Sequence, residues 1–163
     1  MLFKESNYKH ENMKVFILDL DFTLWNAGDT WCSETNPPYI WIKDKLFDQD
    51  NRWIRLYSET IPVLEILRQE QKIIAVASRT NRPEWAKNLL NIFNINHFFD
   101  QKEIYPGNKV THLKKIRSHF GYPYKQMVFF DDEQRNIEEA RDLGIISIKI
   151  DNGISIKDIK KSL

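Results

Sequence analysis

Along the chain, short continuous apolar runs alternate with segments whose apolar residues recur every three or four positions. "VFILDL" (15–20) is a run of the first kind, rich in β-branched residues and predicting a buried strand. "ETIPVLEILRQEQ" (59–71) places Ile61, Leu64, Ile66 and Leu67 near helical spacing, and "KIIAVAS" (72–78) reads as a second buried strand. "RPEWAKNLLNIF" (82–93) predicts a helix, with Pro83 suited to the first turn and Thr80 or Asn81 available as cap. "HFFD" (97–100) has the pattern of a short strand. In "NKVTHLKKIRSHFG" (108–121), Val110, Leu113, Ile116 and Phe120 form one stripe and Gly121 marks the stop. "QMVFFDD" (126–132) predicts a strand, "EQRNIEEARDLG" (133–144) a helix and "IISIKI" (145–150) a last strand. Such alternation implies an α/β fold: a parallel sheet with helices on both faces.

The stretch 26–57, "NAGDTWCSETNPPYIWIKDKLFDQDNRWIRLY", breaks this rhythm. Pro37-Pro38 and the polar residues Asp48 to Arg52 read as turns between short aromatic strands. About 30 residues are too few for a core of their own, so a β-hairpin flap inserted into a single domain (13–163) is expected. Residues 1–12 read as a polar tail.

Charge narrows the function classes. The net charge of +1 gives no electrostatic footprint for nucleic acid or an anionic membrane. Cys32 is the only cysteine, which excludes an internal disulfide and suits a reducing compartment. With no apolar run near the length of a membrane span and no apolar leader, a cytoplasmic monomer is the default expectation.

Ligands of open parallel sheets gather at the carboxyl ends of strands. Those ends carry Asp19 and Asp21, then Ser78-Arg79-Thr80, then Asp131-Asp132, with Lys109 opening the intervening helix. Taken singly, each is ordinary: a polar turn, a capped loop, a complement to a helix dipole, a solvated lysine. Together, on one edge, they make a site for a hard divalent cation beside a phosphate, and Mg²⁺ suits such oxygen donors. The cation also explains why so apolar a strand ends on two carboxylates, since unpaired charges there are costly. His10, His97, His112 and His119 lack paired ligand spacing and read as surface or packing residues.

"LDLDFTLW", "VASRT", Lys109 within "EIYPGNKVTH", and "VFFDDEQRNI" resemble the four motifs of the haloacid dehalogenase superfamily of phosphohydrolases. The wording is most similar to its branch of small eukaryotic magnesium-dependent phosphatases, over roughly Val15 to Gly153. The resemblance implies a three-layer Rossmann-like sheet without a cap domain. It implies Asp19 as nucleophile and Asp21 as general acid and base. Mg²⁺ would be held by Asp19, the backbone carbonyl of Asp21, and Asp132, with Asp131 behind; the two last acids could be exchanged. Ser78 and the amides of Leu20 and Arg79 would hold the phosphoryl oxygens, with Lys109 adding positive charge.

The implied reaction is hydrolysis of a phosphomonoester, on phosphotyrosine in a protein or on a small sugar-type phosphate. A receiver-like phosphoacceptor module is the rival from another class, but there the lysine follows the acids, whereas Lys109 precedes Asp131-Asp132. A polynucleotide end-phosphatase would need a basic groove, for which the chain has no obvious room. The short gap from Arg79 to Asn108 leaves an open site. Trp25, Trp31, Tyr39, Trp41, Trp53 and Tyr57 could wall it, with Trp25 and Trp31 the candidates for stacking on a substrate ring.

Overall fold

The computed structural model describes residues 13–163, so the expected tail 1–12 lies outside the described residues. Its larger sheet is parallel and holds β1 (Val15–Leu18), β6 (Ile73–Ser78), β7 (Gln101–Ile104), β8 (Met127–Asp131) and β9 (Ile146–Lys149) in the order β7-β6-β1-β8-β9. The remaining strands, β2 (Trp25–Ala27), β3 (Ile40–Ile42), β4 (Lys45–Phe47) and β5 (Trp53–Leu56), form a separate antiparallel sheet ordered β2-β5-β4-β3. The helices are α1 (Thr60–Gln69), α2 (Pro83–Ile92), α3 (Lys109–Phe120), α4 (Gln134–Asp142) and α5 (Ile156–Ile159).

Alternation within β1 divides the core. Phe16 and Leu18 pack on one face with Ile74, Val76, Val128 and Phe130, against side chains of α1, α2 and α5 such as Leu64, Leu89 and Ile159. Val15 and Ile17 face the other way, with Ala75, Ala77, Met127 and Phe129, against Leu113 and Ile116 of α3 and Ile137 of α4. Every β1 side chain is fully buried, as expected for a strand covered on both faces. Burying each is worth about 1.5–3 kcal/mol, and truncating Ile17 or Leu18 to Ala would cost about 2–5 kcal/mol.

Going outward from β1 the chain runs through β6 to β7, then returns to β8 beside β1 and on to β9. The order therefore reverses between β1 and β8, and a crevice opens at such a switch point beyond the carboxyl ends. Register places Leu18 opposite Phe130, so Asp19 and Asp131 leave adjacent strands at the same height.

Several local expectations need correction. "HFFD" is not a strand: residues 96–98 form a 3-10 turn, and the strand pairs one step later, at Gln101–Ile104. Phe98 and Phe99 fill the core from that turn. Pro83 does open α2, but the cap position is Arg82 and has no side-chain cap bond; Thr80 Oγ1 instead accepts from the Arg82 amide at 3.1 Å, tightening the loop. Near the end of the chain, beyond the last strand, Ile156–Ile159 form α5 behind a capping box of Ser155 and Asp158.

The flap is larger than a hairpin. Three of its four strands share the main core, through Trp25 and Ala27, Leu46, and Ile54, and Tyr39 joins them from just before β3. Phe93, just past α2, contacts both Trp25 and Trp41 (ring centroids 6.3 and 6.1 Å). Asp48 organises the turn between β4 and β5, accepting from the amides of Asn36, Asp50 and Arg52 at 2.8–2.9 Å. The insertion is thus a fixed wall, not a loose lid.

Candidate active site

After β1 the chain folds into one tight loop. The amides of Thr23, Leu24 and Trp25 all donate to the Leu20 carbonyl, and Phe22 turns left-handed with φ 61°. Residues two apart on an extended chain share a face, and this loop keeps Asp19 and Asp21 on the same side, both lining the crevice. Leu20, between them, has its side chain in the core.

Asp19 is 8% exposed. Its Oδ2 accepts from Thr23 Oγ1 at 3.1 Å and its Oδ1 from Lys109 Nζ at 3.0 Å. Lys109 comes from the first turn of α3, with Asn108 as N-cap and Gly121 closing the helix left-handed at φ 79°. Its ammonium is 1% exposed, lies 2.9 Å from Asp131, and also donates to the Ala77 carbonyl. Val110, expected on the apolar stripe, is only half-buried; Lys109 and His112 take buried positions on that helix.

Asp131 and Asp132 differ in what surrounds them. Asp131 is fully buried; Oδ1 accepts from the Glu133 amide at 2.8 Å, and Oδ2 from Asn136 at 3.1 Å besides Lys109. Asp132 is half-buried and faces the crevice. Oxygens of Asp19, Asp131 and Asp132 all lie within 4.8 Å of one another.

Such crowding distorts proton affinity. Burial, then the charge of Asp131, raises the Asp19 pKa well above its usual value, with Lys109 opposing. Burial chiefly pushes Asp132 up to about 6. Burial alone would lower Lys109, but Asp19 and Asp131 outweigh it and keep the ammonium charged. One lysine therefore does not neutralise the cluster, and a further cation would. The donors are all carboxylate oxygens, a set that fits Mg²⁺.

Asp21 is held differently. Its Oδ1 accepts from the Trp25 indole N–H and the Cys32 amide, both at 2.8 Å. Burial raises its pKa, although both hydrogen bonds oppose the rise. Trp25 is fully buried and so cannot stack on a substrate; its ring packs in the core and its N–H orients a carboxylate. Trp31 is 51% exposed and lines the crevice.

Ser78, at the end of β6, is 3% exposed and accepts from the Thr80 amide at 3.3 Å. Arg79 beside it donates to Asn136 Oδ1 at 3.1 Å. A cavity of about 220 Å³ brings together Asp19, Asp21, Ser78, Arg79, Lys109 and Asp132. It also includes Trp31, Ser33, Asn81, Arg135 and Asn136.

No task was expected for Thr23 or Asn136, and His112 was expected to be a surface or packing residue. Thr23 and Asn136 stand inside the quoted motifs, and that was the available signal. His112 is fully buried, its ring nitrogens 2.9 and 2.8 Å from the carbonyls of Asn108 and Tyr105. It is a packing residue and not a surface one, pinning the turn before Lys109 onto α3. No sequence spacing marks that role.

The acid phosphatase family model matches residues 11–163. Human magnesium-dependent phosphatase 1 is 38% identical over 152 residues, covering 92% of this chain and 85% of that protein. A HAD-like hydrolase superfamily protein of Schizosaccharomyces pombe is 36% identical over 142 residues, covering 81% and 82%. Among solved structures, a haloacid dehalogenase-like hydrolase from Streptococcus pneumoniae superposes with a TM-score of 0.65 at 14% identity, over 93% of this chain and 91% of that one. A HAD family enzyme from Bacteroides thetaiotaomicron, solved with magnesium and inorganic phosphate, gives 0.64 at 14% identity over 88% and 97%. The two structures share the fold.

Proposed function

The chain belongs to the acid phosphatase family and is a magnesium-dependent hydrolase of phosphate esters, and from that premise we propose that it works through an aspartyl-phosphate on Asp19. The carrying observation is the pair of acids on one loop with opposite environments. Asp19 is buried and paired with Lys109, while Asp21 is half-buried with one oxygen already occupied.

An Asp19 oxygen attacks phosphorus as the bond from phosphorus to the ester oxygen breaks. The departing oxygen takes its electron pair and the Asp21 proton. Asp21, now a base, removes a proton from water; that water attacks phosphorus, the bond to Asp19 breaks, and inorganic phosphate leaves. Asp19 and Asp132, with the Asp21 backbone carbonyl, would hold Mg²⁺. The ion supplies charge neutralisation between two anions. Both Asp131 oxygens are engaged by protein donors, which favours Asp132 over Asp131 as ligand and leaves Asp131 to hold Lys109. Ser78 and the amides of Leu20 and Arg79 cradle the phosphoryl oxygens, and Lys109 offsets the charge that builds in the transition state.

Substrates are phosphomonoesters reaching one uncapped domain. An aryl ester, including a phosphotyrosine side chain, would lie against the half-exposed Trp31; a sugar-type phosphate would meet Ser33 and Asn81. Among the described residues no helix is long and apolar enough to cross a membrane. With a single buried cysteine, a monomer in the cytoplasm is the setting this reading favours.

Phosphate release from a panel of phosphotyrosine peptides and sugar phosphates tests the reading. Turnover should require Mg²⁺, cease with chelator and be inhibited by Ca²⁺, whose looser coordination misplaces the reactants. Borohydride trapping followed by mass spectrometry should place the acyl phosphate at Asp19. Full activity in chelator, or a label elsewhere, would refute it.

A further inference from the structure

Two arginines line the crevice without a task in that reaction for their side chains. Arg79 is aimed by a buried anchor: Asn136, 2% exposed, donates to Asp131 at 3.1 Å, which turns its Oδ1 toward Arg79 Nη1, the donor at 3.1 Å. A guanidinium has five N–H donors, and this anchor uses one. Among the described residues no carboxylate oxygen comes within 4.0 Å of the Arg79 side chain, the distance that would count as an ion pair. Arg135, next to the anchor in sequence, meets Glu133 only at 3.8 Å with its side chain 63% exposed. Both arginines line the cavity that holds Asp19 and Lys109. A fixed, half-buried guanidinium lacking a counter-charge is costly, and a planar anion that binds it through two N–H groups relieves the cost.

Building on the phosphomonoesterase reading, we propose that the preferred substrates carry a second anionic group on the leaving alcohol, a carboxylate or a second phosphate, received by the Arg79 guanidinium with Arg135 on the rim. The reacting phosphoryl group already has the metal, Lys109, Ser78 and two amides. The arginines therefore add recognition beyond the bond that breaks, where Trp31 contributes apolar surface. Asn136 is a positioning residue, linking Arg79 to the acids of the centre.

Matched esters test this: 4-carboxyphenyl phosphate against 4-carbamoylphenyl phosphate, and 1,4-butanediol bisphosphate against its monophosphate. The native protein should favour the anionic member of at least one pair by about tenfold or more in kcat/KM, chiefly through KM, with the preference shrinking as salt is raised. The pair that responds identifies the anion as carboxylate or phosphate. Arg79→Met should bring that ratio near one, and Arg79→Lys should keep part of it. Should Arg79→Met fail to fold, Arg135→Met is expected to lower the ratio in a folded protein. A ratio near one for both pairs in the native protein overturns the proposal, as does a ratio that survives Arg79→Met. Equal losses on charged and neutral esters would place Arg79 on the reacting phosphoryl group and overturn it too. If no ester is hydrolysed, the phosphatase reading fails instead, a distinct result.

Discussion

Lys109 and Asp19, 90 residues apart in the chain, meet at 3.0 Å where almost no solvent reaches. The same ammonium lies 2.9 Å from Asp131, so one cation holds two buried carboxylates together. Removing it should cost more than removing either anion. Lys109→Met is expected to destabilise the metal-free protein by about 3–5 kcal/mol, the usual penalty of a stranded buried charge, and Mg²⁺ should restore part of that. Asp19→Asn relieves the crowding, so its metal-free melting should stay within about 1 kcal/mol of the native protein's while phosphate release is lost. Thermal melts with chelator and with Mg²⁺ check both; equal destabilisation would contradict the geometry.

Burial raises the Asp21 pKa above its ordinary value of 3.8. In the proposed reaction the protonated form serves the leaving group, so kcat should fall as pH rises through the raised value, giving an acidic optimum. Asp21→Asn should lower kcat by roughly 10²–10⁴-fold and flatten that limb. A native rate that climbs steadily into alkaline pH would remove Asp21 from the role of acid.

At Asp48, burial alone would raise the pKa, but hydrogen bonds from the Arg52 and Asn36 amides and the Arg52 side chain outweigh it and hold it below 3.8. A carboxyl depressed by folding stabilises fully above its ordinary value and loses that contribution as pH falls through the lower, folded value. Acidification below 3.8 should therefore loosen the flap first. Asp48→Ala should cost about 1–3 kcal/mol at neutral pH, since it removes the charged acceptor that three amides of the turn share. Fluorescence of Trp41 and Trp53 against pH follows it; a flap signal that changes only with global unfolding would count against the prediction.

Trp31 and Trp25 should separate cleanly. Trp31→Ala should raise KM for an aryl phosphate more than for a small alkyl phosphate and leave stability nearly unchanged. Trp25→Phe keeps most of the packing but deletes a hydrogen bond to Asp21. It should lower kcat for both substrates alike and cost about 1–3 kcal/mol. Equal effects of Trp31→Ala on both esters would make that residue a packing group.

What was legible in the chain was whatever a local pattern encodes. Continuous apolar runs located β1, β6, β8 and β9, and the acids at two strand ends marked the crevice, because strand period and sheet topology leave their imprint on neighbouring residues. β7 was misplaced by a few positions. Its pattern is weak on an edge strand, and the aromatic residues just before it belong to a core-filling turn. The second sheet could not be counted from sequence because its strands have three or four residues, too few to show a period, and β2 finds its partner β5 only across the whole insertion. Trp25 illustrates the same limit. Proximity to Asp19 in sequence suggested a substrate platform, and only the packing shows its face spent on the core and its edge on a carboxylate.

Trp25 and Cys32 hold the same oxygen of Asp21, so in the proposed reaction the proton has one address left. The insertion thereby splits into two parts with different freedom to change. Its outer edge, Ile40–Ile42, is exposed on every residue and can be rewritten to suit a new substrate. Its inner edge, where Trp25–Ala27 pairs with Ile54–Leu56, sets the angle of an acid. A change there that tilts the Trp25 ring without unpacking it would turn the proposed proton donor away from the leaving group.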